Sequence, residues 1–301
     1  MGQEGKKLLV IVGPTASGKS ALAVAVAKKL NGEVVSADSR QVYRGLEIGS
    51  NYPTKTELKA VPHYLVGFVD PKKTFTVAEY QAKARKTIRS IWRCRKLPIL
   101  VGGTGFYVQA VVDGIVMPEV PPDETLRRKL KTRSTGELAD ILRQKDKRRW
   151  ETIDRRNPRR LIRAIEIAKA LGKVPALQLN PMPAEVVMIG IDPEKNILKK
   201  AIEKRSRAMI QRNFIREVKM LLQNDVKEEK IRELGFEYQI ALRYLKGGIK
   251  SKRELADAIT KMTLQYVKRQ MTWFRKDSRI IWVRSSNEIL SVVQQFLKKK
   301  S

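Results

Sequence analysis

Gly13-Pro14-Thr15-Ala16-Ser17-Gly18-Lys19-Ser20 stands between an apolar run, Leu8 to Val12, and a run with helical spacing, Ala21 to Leu30. The eight residues fit the pattern G-x-x-x-x-G-K-[ST] in the strand–loop–helix setting that gives the pattern its meaning. Glycines let backbone N–H groups converge on a phosphate at a helix N-terminus, Lys19 adds a point charge, and the Ser20 hydroxyl can ligate magnesium. The stretch reads as a diphosphate cradle at the end of the first strand of an α/β sheet. The loop alone leaves open what carries the diphosphate.

Two further strand ends point the same way. Glu33 to Ala37 reads as a short buried strand running into Asp38-Ser39-Arg40-Gln41-Val42-Tyr43, and Leu97 to Val101 as another running into Gly102-Gly103-Thr104-Gly105-Phe106-Tyr107. In α/β sheets ligands bind beyond the carboxyl ends of the strands. Asp38 is therefore a candidate general base or magnesium partner, with a helix N-cap as the alternative. Thr104 is a candidate hydroxyl ligand, unless the glycines beside it serve tight packing alone. Between them the chain is loop-rich from Gly45 to Pro71, with a strand expected at Tyr64 to Val69 and a structural His63. Thr76 to Cys94 has helical spacing, with Lys83, Arg85, Lys86 and Arg89 read as a solvated face.

Lys and Arg number 62 against 31 Asp and Glu in 301 residues, a net charge of +31. An excess of that size favours a polyanionic partner, above all nucleic acid. One cysteine, Cys94, excludes an internal disulfide and a cysteine-based zinc site, and one histidine argues against histidine-centred catalysis. No apolar run approaches membrane-span length and Met1 to Lys7 lacks a leader core, so a cytoplasmic setting without membrane attachment is expected. The composition changes at Met117-Pro118 and Pro121-Pro122. Arg127 to Lys173 holds 17 Lys or Arg against 6 Asp or Glu, a net +11 in 47 residues. Helices expected at Leu126 to Trp150 and Leu161 to Leu171 make this segment a candidate grip on a phosphate backbone, or else an exposed hairpin without a ligand. The chain returns through Gly172, Pro175, Pro181 and Pro183 to a buried strand, Val186 to Ile191. Helices are then expected at Ile197 to Leu222, Ile231 to Gly248 and Lys252 to Phe274, and a last strand at Arg279 to Val283.

The expected fold is a parallel α/β sheet flanked by helices, like that of the P-loop NTPases, with residues 1–114 and 176–301 as core and 115–175 as a basic helical insertion. At this point five stretches converge. Gly13 to Ser20, Ala37 to Arg44, Leu100 to Tyr107, Arg160 to Glu166 and Lys268-Arg269-Gln270-Met271-Thr272-Trp273-Phe274-Arg275 closely resemble, in order, the motifs of the tRNA dimethylallyltransferases, also called tRNA isopentenyltransferases. The first motif is shared with many kinases and ATP-binding NTPases; the other four in this order are specific.

The resemblance implies transfer of a dimethylallyl group from dimethylallyl diphosphate to the exocyclic amine of the tRNA adenosine at position 37, just 3′ of the anticodon. Gly13, Pro14, Thr15, Ala16, Ser17, Gly18, Lys19 and Ser20 would hold the diphosphate, with Mg²⁺ as cofactor on Ser20. Asp38, Thr104 and Arg205 would be catalytic. Asp38, Ser39, Arg40, Gln41, Thr104, Arg127, Arg159, Arg160, Leu161, Ile162, Arg163, Arg232, Glu233, Leu234, Gly235, Phe236 and Glu237 would meet the tRNA, and a monomer is expected. The chain departs from the family in having Pro62-His63-Tyr64 where paired histidines are common, and Leu234-Gly235-Phe236 where a glycine–tyrosine run is common. A small-molecule kinase, a non-catalytic RNA-binding NTPase and a prenyltransferase for free adenine nucleotides are the alternatives.

Overall fold

The computed structural model describes residues 6–284 and 286–298; residues 1–5, most of the stretch without a leader core, lie outside the described residues. Six strands, β1 (Lys7–Val12), β2 (Gly32–Ser36), β3 (His63–Tyr64), β4 (Leu97–Gly102), β5 (Glu185–Ile191) and β6 (Ile280–Val283), form one sheet in the order β3-β2-β4-β1-β5-β6. Every pairing is parallel, and Leu9 of β1 faces Ile99 of β4 and Val187 of β5. A parallel sheet covered on both faces needs continuous rather than alternating apolar strands, which is why Leu8 to Val12 contains no polar residue.

One face packs Leu8, Val10 and Leu100 against Tyr80, Ala84 and Ile88 of the helix Val77–Arg93. The other packs Leu9, Ile11 and Ile99 against Ala23, Val26 and Ala27 of Lys19–Lys29 and Val293 of Ser286–Lys298. Each fully buried Leu or Ile here stabilises the fold by about 2 kcal/mol. The helix Val77–Arg93 starts where a capping box fixes it: Thr76 accepts the Glu79 N–H and Glu79 accepts the Thr76 N–H. The strand expected at Tyr64 to Val69 ends at Tyr64 instead. Leu65 and Gly67 both take positive φ, +63° and +62°, which turns the chain out of the sheet, and Val69 returns only as an isolated bridge to Tyr43.

The C-terminal helices form a further layer, with two breaks that periodicity did not show. The helix expected from Ile197 to Leu222 is divided into Lys195–Gln211 and Phe214–Gln223 by Asn213, at φ +63°. That expected from Ile231 to Gly248 is divided into Glu228–Leu234 and Phe236–Leu245 by Gly235, at φ +154°. Phe214, Val218, Tyr238 and Ile259 share a core with Val42 and Leu46. The segment that follows Asp38 is thereby seated on the helical layer.

Residues 115–180 are a separate compact unit. The expected boundary at residue 175 moves to Asn180 because Val116 N–H donates to the Gln178 carbonyl (2.9 Å) and Ile115 bridges Leu179. Instead of one helix from Leu126 to Trp150 there are three, Glu124–Lys131, Thr135–Lys145 and Lys147–Thr152, followed by Pro158–Leu171. Ser134 starts the second in a capping box with Glu137, and Asp146 caps the third by accepting the Arg149 N–H at 2.9 Å. Leu138, Leu142, Leu161 and Ile165 give this unit its own core, so it is not an exposed hairpin.

Candidate active site

The loop after β1 holds a conformation that glycine and its neighbours make possible. Gly18, at φ +82°, lets the chain enter the helix Lys19–Lys29 directly, and Ala16 sits in the left-handed region at φ +63°. For a residue with a Cβ that region costs roughly 1–2 kcal/mol. Tertiary bonds hold the loop there. Lys19 Nζ donates to the Pro14 carbonyl (2.9 Å), Thr15 N–H donates to Gln270 Oε1 (3.0 Å), and Gln270 Nε2 donates to the Gly103 carbonyl (2.8 Å). Gln270, buried on the helix Lys252–Phe274, thus ties the loop after β1 to the loop after β4. Sequence reasoning did not single it out; its place in the motif Lys268 to Arg275 was the available signal.

A cavity of about 330 Å³ opens at this loop, lined by Thr15, Ala16, Gly18, Lys19, Ser20, Asp38, Arg40, Gln41, Arg205, Tyr266 and Gln270 and by the segment Gly49 to Thr54. Gly13 and Pro14 lie buried beneath it. Arg205 Nη1 donates to Thr15 Oγ1, whereas Arg205 Nε and Ser17 Oγ are buried with no partner among the described residues. An unpaired buried donor costs about 1–3 kcal/mol, which an anionic ligand would recover. Burial above all, with the Arg40 charge adding to it against Glu237 and Asp38, holds the Arg205 guanidinium below its usual pKa. Lys19 is lowered to about 8, mainly by burial and further by Arg205, while Asp38 draws it back up.

Asp38 sits at the cavity on a loop whose shape its own side chain sets. Its Oδ1 accepts the N–H groups of Arg40 (2.9 Å) and Gln41 (3.4 Å). Thr104 Oγ1 accepts the Ser39 N–H at 3.1 Å, which ties the loop after β4 to the Asp38 loop. Arg40 is ion-paired to Glu237 and lies 5.2 Å and 5.3 Å from the ring centres of Phe236 and Tyr266. Burial works against its charge, but Glu237, Tyr266 and Asp38 together hold its pKa above the usual range. Glu217, absent from the sequence reading, accepts the N–H groups of Ile48 (2.6 Å) and Gly49 (3.0 Å) and the Tyr238 hydroxyl (2.9 Å), fixing the Gly49 to Thr54 rim. Nothing local in sequence links those positions.

The expected tRNA contacts divide by exposure. Arg159, Arg160, Arg232 and Glu233 are exposed, whereas Leu161, Ile162, Leu234 and Glu237 are buried and support the surface from behind. Arg127 and Arg163 both bind Glu166, Arg127 through Nε (2.9 Å) and Nη2 (3.0 Å), and Arg163 Nη2 also reaches the Val120 carbonyl. Burial pushes against ionisation of Glu166, but the bonds from Arg127 and Arg163 hold its carboxyl below the ordinary range. Both arginines are thereby tied to the insert's core through Glu166, with part of each side chain left at the surface.

The Lys19 value carries a pH prediction. Near pH 8 the free protein holds Lys19 about half-charged, and a diphosphate favours the charged form, so binding takes up a proton and weakens by up to tenfold per pH unit above about 8. Calorimetric titration of inorganic diphosphate between pH 7 and 9.5, in buffers of different ionisation enthalpy, measures both effects. Affinity that stays flat over that range would remove Lys19 from the binding charge.

The IPP transferase family model matches residues 41–277, and an isopentenyl transferase model matches residues 6–71. The tRNA dimethylallyltransferase of Halalkalibacterium halodurans is 38% identical over 287 residues, 92% of this chain and 90% of that protein. That of Acaryochloris marina is 38% identical over 95% of each chain. Among solved structures, the full-length tRNA isopentenylpyrophosphate transferase of Bacillus halodurans superposes with a TM-score of 0.72 at 34% identity, over 97% of this chain and 95% of that one. A eukaryotic dimethylallyltransferase, captured acting on tRNA, shares the fold with a TM-score of 0.81 at 23% identity, over 98% of this chain and 80% of that one. With its phosphate loop, its Asp38 loop and the buried Gln270 joining two strand ends, the chain belongs to the IPP transferase family.

Proposed function

We propose that the protein transfers a dimethylallyl group from dimethylallyl diphosphate to N6 of the adenosine at position 37 of tRNA, beside the anticodon, giving N6-isopentenyladenosine and diphosphate. The observation that carries this is the shared cavity: the cations Lys19 and Arg205 and the carboxylate Asp38 line one space of about 330 Å³. In the reaction the bond from the allylic carbon to the diphosphate oxygen breaks and a carbon–nitrogen bond to N6 forms. Lys19, Arg205 and the loop amides stabilise the charge growing on the departing diphosphate, the same electrostatic task that such loops perform for phosphoryl groups. Asp38 accepts the hydrogen bond, and then the proton, of the attacking amine. An adenine amine is a weak nucleophile, so its orientation counts for more than strong basicity at Asp38. The base must leave the anticodon stack to reach the cavity.

Magnesium fits this site in one way. Among the described residues no group of three or more His, Cys, Asp or Glu could hold a metal ion. Ser20, with the diphosphate oxygens and water, is the donor set that Mg²⁺ typically takes at phosphate loops, where the ion adds charge neutralisation. A cytoplasmic monomer accords with this reading, and among the described residues no helix is long and apolar enough to cross a membrane.

Mass spectrometry of nucleosides from tRNA incubated with the protein, Mg²⁺ and dimethylallyl diphosphate tests the proposal. The expected product is adenosine heavier by one C5H8 unit. No gain, with ATP hydrolysed instead, would transfer the loop to a kinase reading. Because the insert's exposed arginines meet phosphates rather than bases, tRNA affinity is expected to fall about 10³-fold between 50 and 200 mM salt for roughly six contacts. Filter binding across that range checks it, and a flat response would remove the insert from the interface.

A further inference from the structure

The charges on the helix Val77–Arg93, which its periodicity presents as a plain solvated face, converge in space on something more specific. Lys86, Arg89, Trp92 and Arg93 from that helix join Arg95, Lys96, Lys6 and Lys7 around a cleft of about 730 Å³. Its walls come from the amino ends of β1 and β4, whereas the phosphate loop follows the carboxyl end of β1. Six residues of strand, about 20 Å, separate the two.

Three features mark the cleft as built for an anion. First, its floor is fixed. Trp92 Nε1 donates to the Lys7 carbonyl at 2.7 Å, which sets the ring in place, and Lys6 Nζ lies 5.9 Å from its centre. Second, the charge is only partly neutralised. Lys96 pairs with Glu33 (2.6 Å) and Lys7 with Glu185 (3.7 Å), but Lys86, Arg89, Arg93 and Arg95 are exposed and make no side-chain hydrogen bond or ion pair among the described residues. Third, the free cations are spread out. Lys86, Arg89 and Arg93 follow one helix face over seven residues, about 10 Å, which exceeds the reach of a single phosphate. Cations at a helix C-terminus also complement its dipole, a role open to Arg93 and Arg95 but not to Lys86 a full turn and more earlier.

We propose that this cleft is a second RNA site, which takes the phosphate backbone of the nucleic acid at the end of the sheet opposite the catalytic cavity. The inference rests on RNA as partner, not on prenyl transfer. RNA is favoured over a lipid surface because the cleft is concave and seven of its eight lining residues are Lys or Arg, while the eighth, Trp92, is held in place by its Nε1–H bond to the Lys7 carbonyl and no aliphatic side chain stands beside it to insert into lipid. It is favoured over a free nucleotide because the unpaired cations extend along the helix rather than around one point. Contacts of this kind position the partner without reading sequence.

The test compares two variants of equal charge loss. One is Lys86→Gln, Arg89→Gln, Arg93→Gln and Arg95→Gln together; the control is Lys28→Gln, Lys29→Gln, Lys219→Gln and Lys250→Gln, all exposed positions elsewhere. The probe is a full-length tRNA transcript, without prenyl donor, titrated from 50 to 300 mM KCl. If the cleft is a site, its variant loses roughly three units of log–log salt slope and at least tenfold in affinity at 100 mM KCl, while the control keeps the wild-type slope within about one unit. Equal loss in both variants would reduce the cleft to a share of bulk charge and overturn the proposal, as would an unchanged slope in the cleft variant. Diphosphate binding is measured beside it and stays at the wild-type value if both variants fold. A failure of the prenyl-transfer assignment would leave all these binding results unchanged, so the two readings fail separately.

Discussion

Asp38→Asn is expected to lower the single-turnover rate of prenyl transfer by 10²–10⁴-fold, the usual contribution of a positioned proton acceptor, while diphosphate affinity changes by less than about threefold. The substitution is unusually clean because of how the loop is built. Oδ1 of Asp38 accepts the Arg40 and Gln41 amides, and the amide oxygen of asparagine can accept both, so the turn survives. What is lost is the negative charge and the ability to take a proton. One secondary effect has a definite sign. The Asp38 charge supports the protonated form of Lys19, so its removal lowers the Lys19 pKa further below about 8 and weakens diphosphate binding in alkaline solution. The comparison is therefore made at pH 7, with calorimetry for diphosphate and rapid-quench sampling for transfer. Equal loss of binding and rate would mean that Asp38 holds the cradle rather than serving the amine.

The parts of this molecule that were legible in sequence are those written locally. Continuous apolar runs ending in Gly-rich or carboxylate-bearing turns located β1, β2 and β4 to within a residue or two, and with them the three strand ends that build the cavity. The helix breaks were not legible. Asn213 and Gly235 interrupt otherwise regular apolar spacing, and only the backbone shows that both take positive φ. Long-range polar pairs were equally silent. Gln270 lies 255 residues from Thr15, and Glu217 lies 169 from Ile48, so no window along the chain contains either pair. Charge was legible in amount but not in use. Nothing along the chain places Arg127 beside Glu166, 39 residues away, and nothing in the helix Val77–Arg93 alone shows that Lys6 and Lys7 join Lys86, Arg89 and Trp92 around one cleft.

Gly102→Ala is expected to be among the most damaging single methyl additions in the protein. Gly102 ends β4 beside the end of β2, where Ala37 N–H donates to the Val101 carbonyl at 2.7 Å and the Ala37 carbonyl receives the Thr104 N–H at 3.3 Å. A methyl on Gly102 would lie 2.1 Å from the Ala37 oxygen and 2.4 Å from its carbonyl carbon. Both are backbone atoms, so no rotamer change relieves the overlap. Retreat is blocked as well: Ala37 is fully buried, and the preceding carbonyl, that of Ser36, is held by the Tyr80 hydroxyl at 2.9 Å. Overpacking of this kind costs about 3 kcal/mol, the upper end of its range, because the strand ends must part. The catalytic loss should exceed the loss of folded protein. Asp38 follows Ala37 directly, and a displacement of about 1 Å at a reacting group can cost 10²-fold in rate. Denaturant unfolding gives the first quantity, and single-turnover transfer by the folded fraction gives the second. Gly136→Ala is the control, since its added methyl meets only the Ser134 hydroxyl at 3.9 Å within a helix, and stability there should hold or rise slightly. If Gly102→Ala instead kept both wild-type stability and wild-type rate, the close approach of β2 and β4 would not be what sets the position of Asp38.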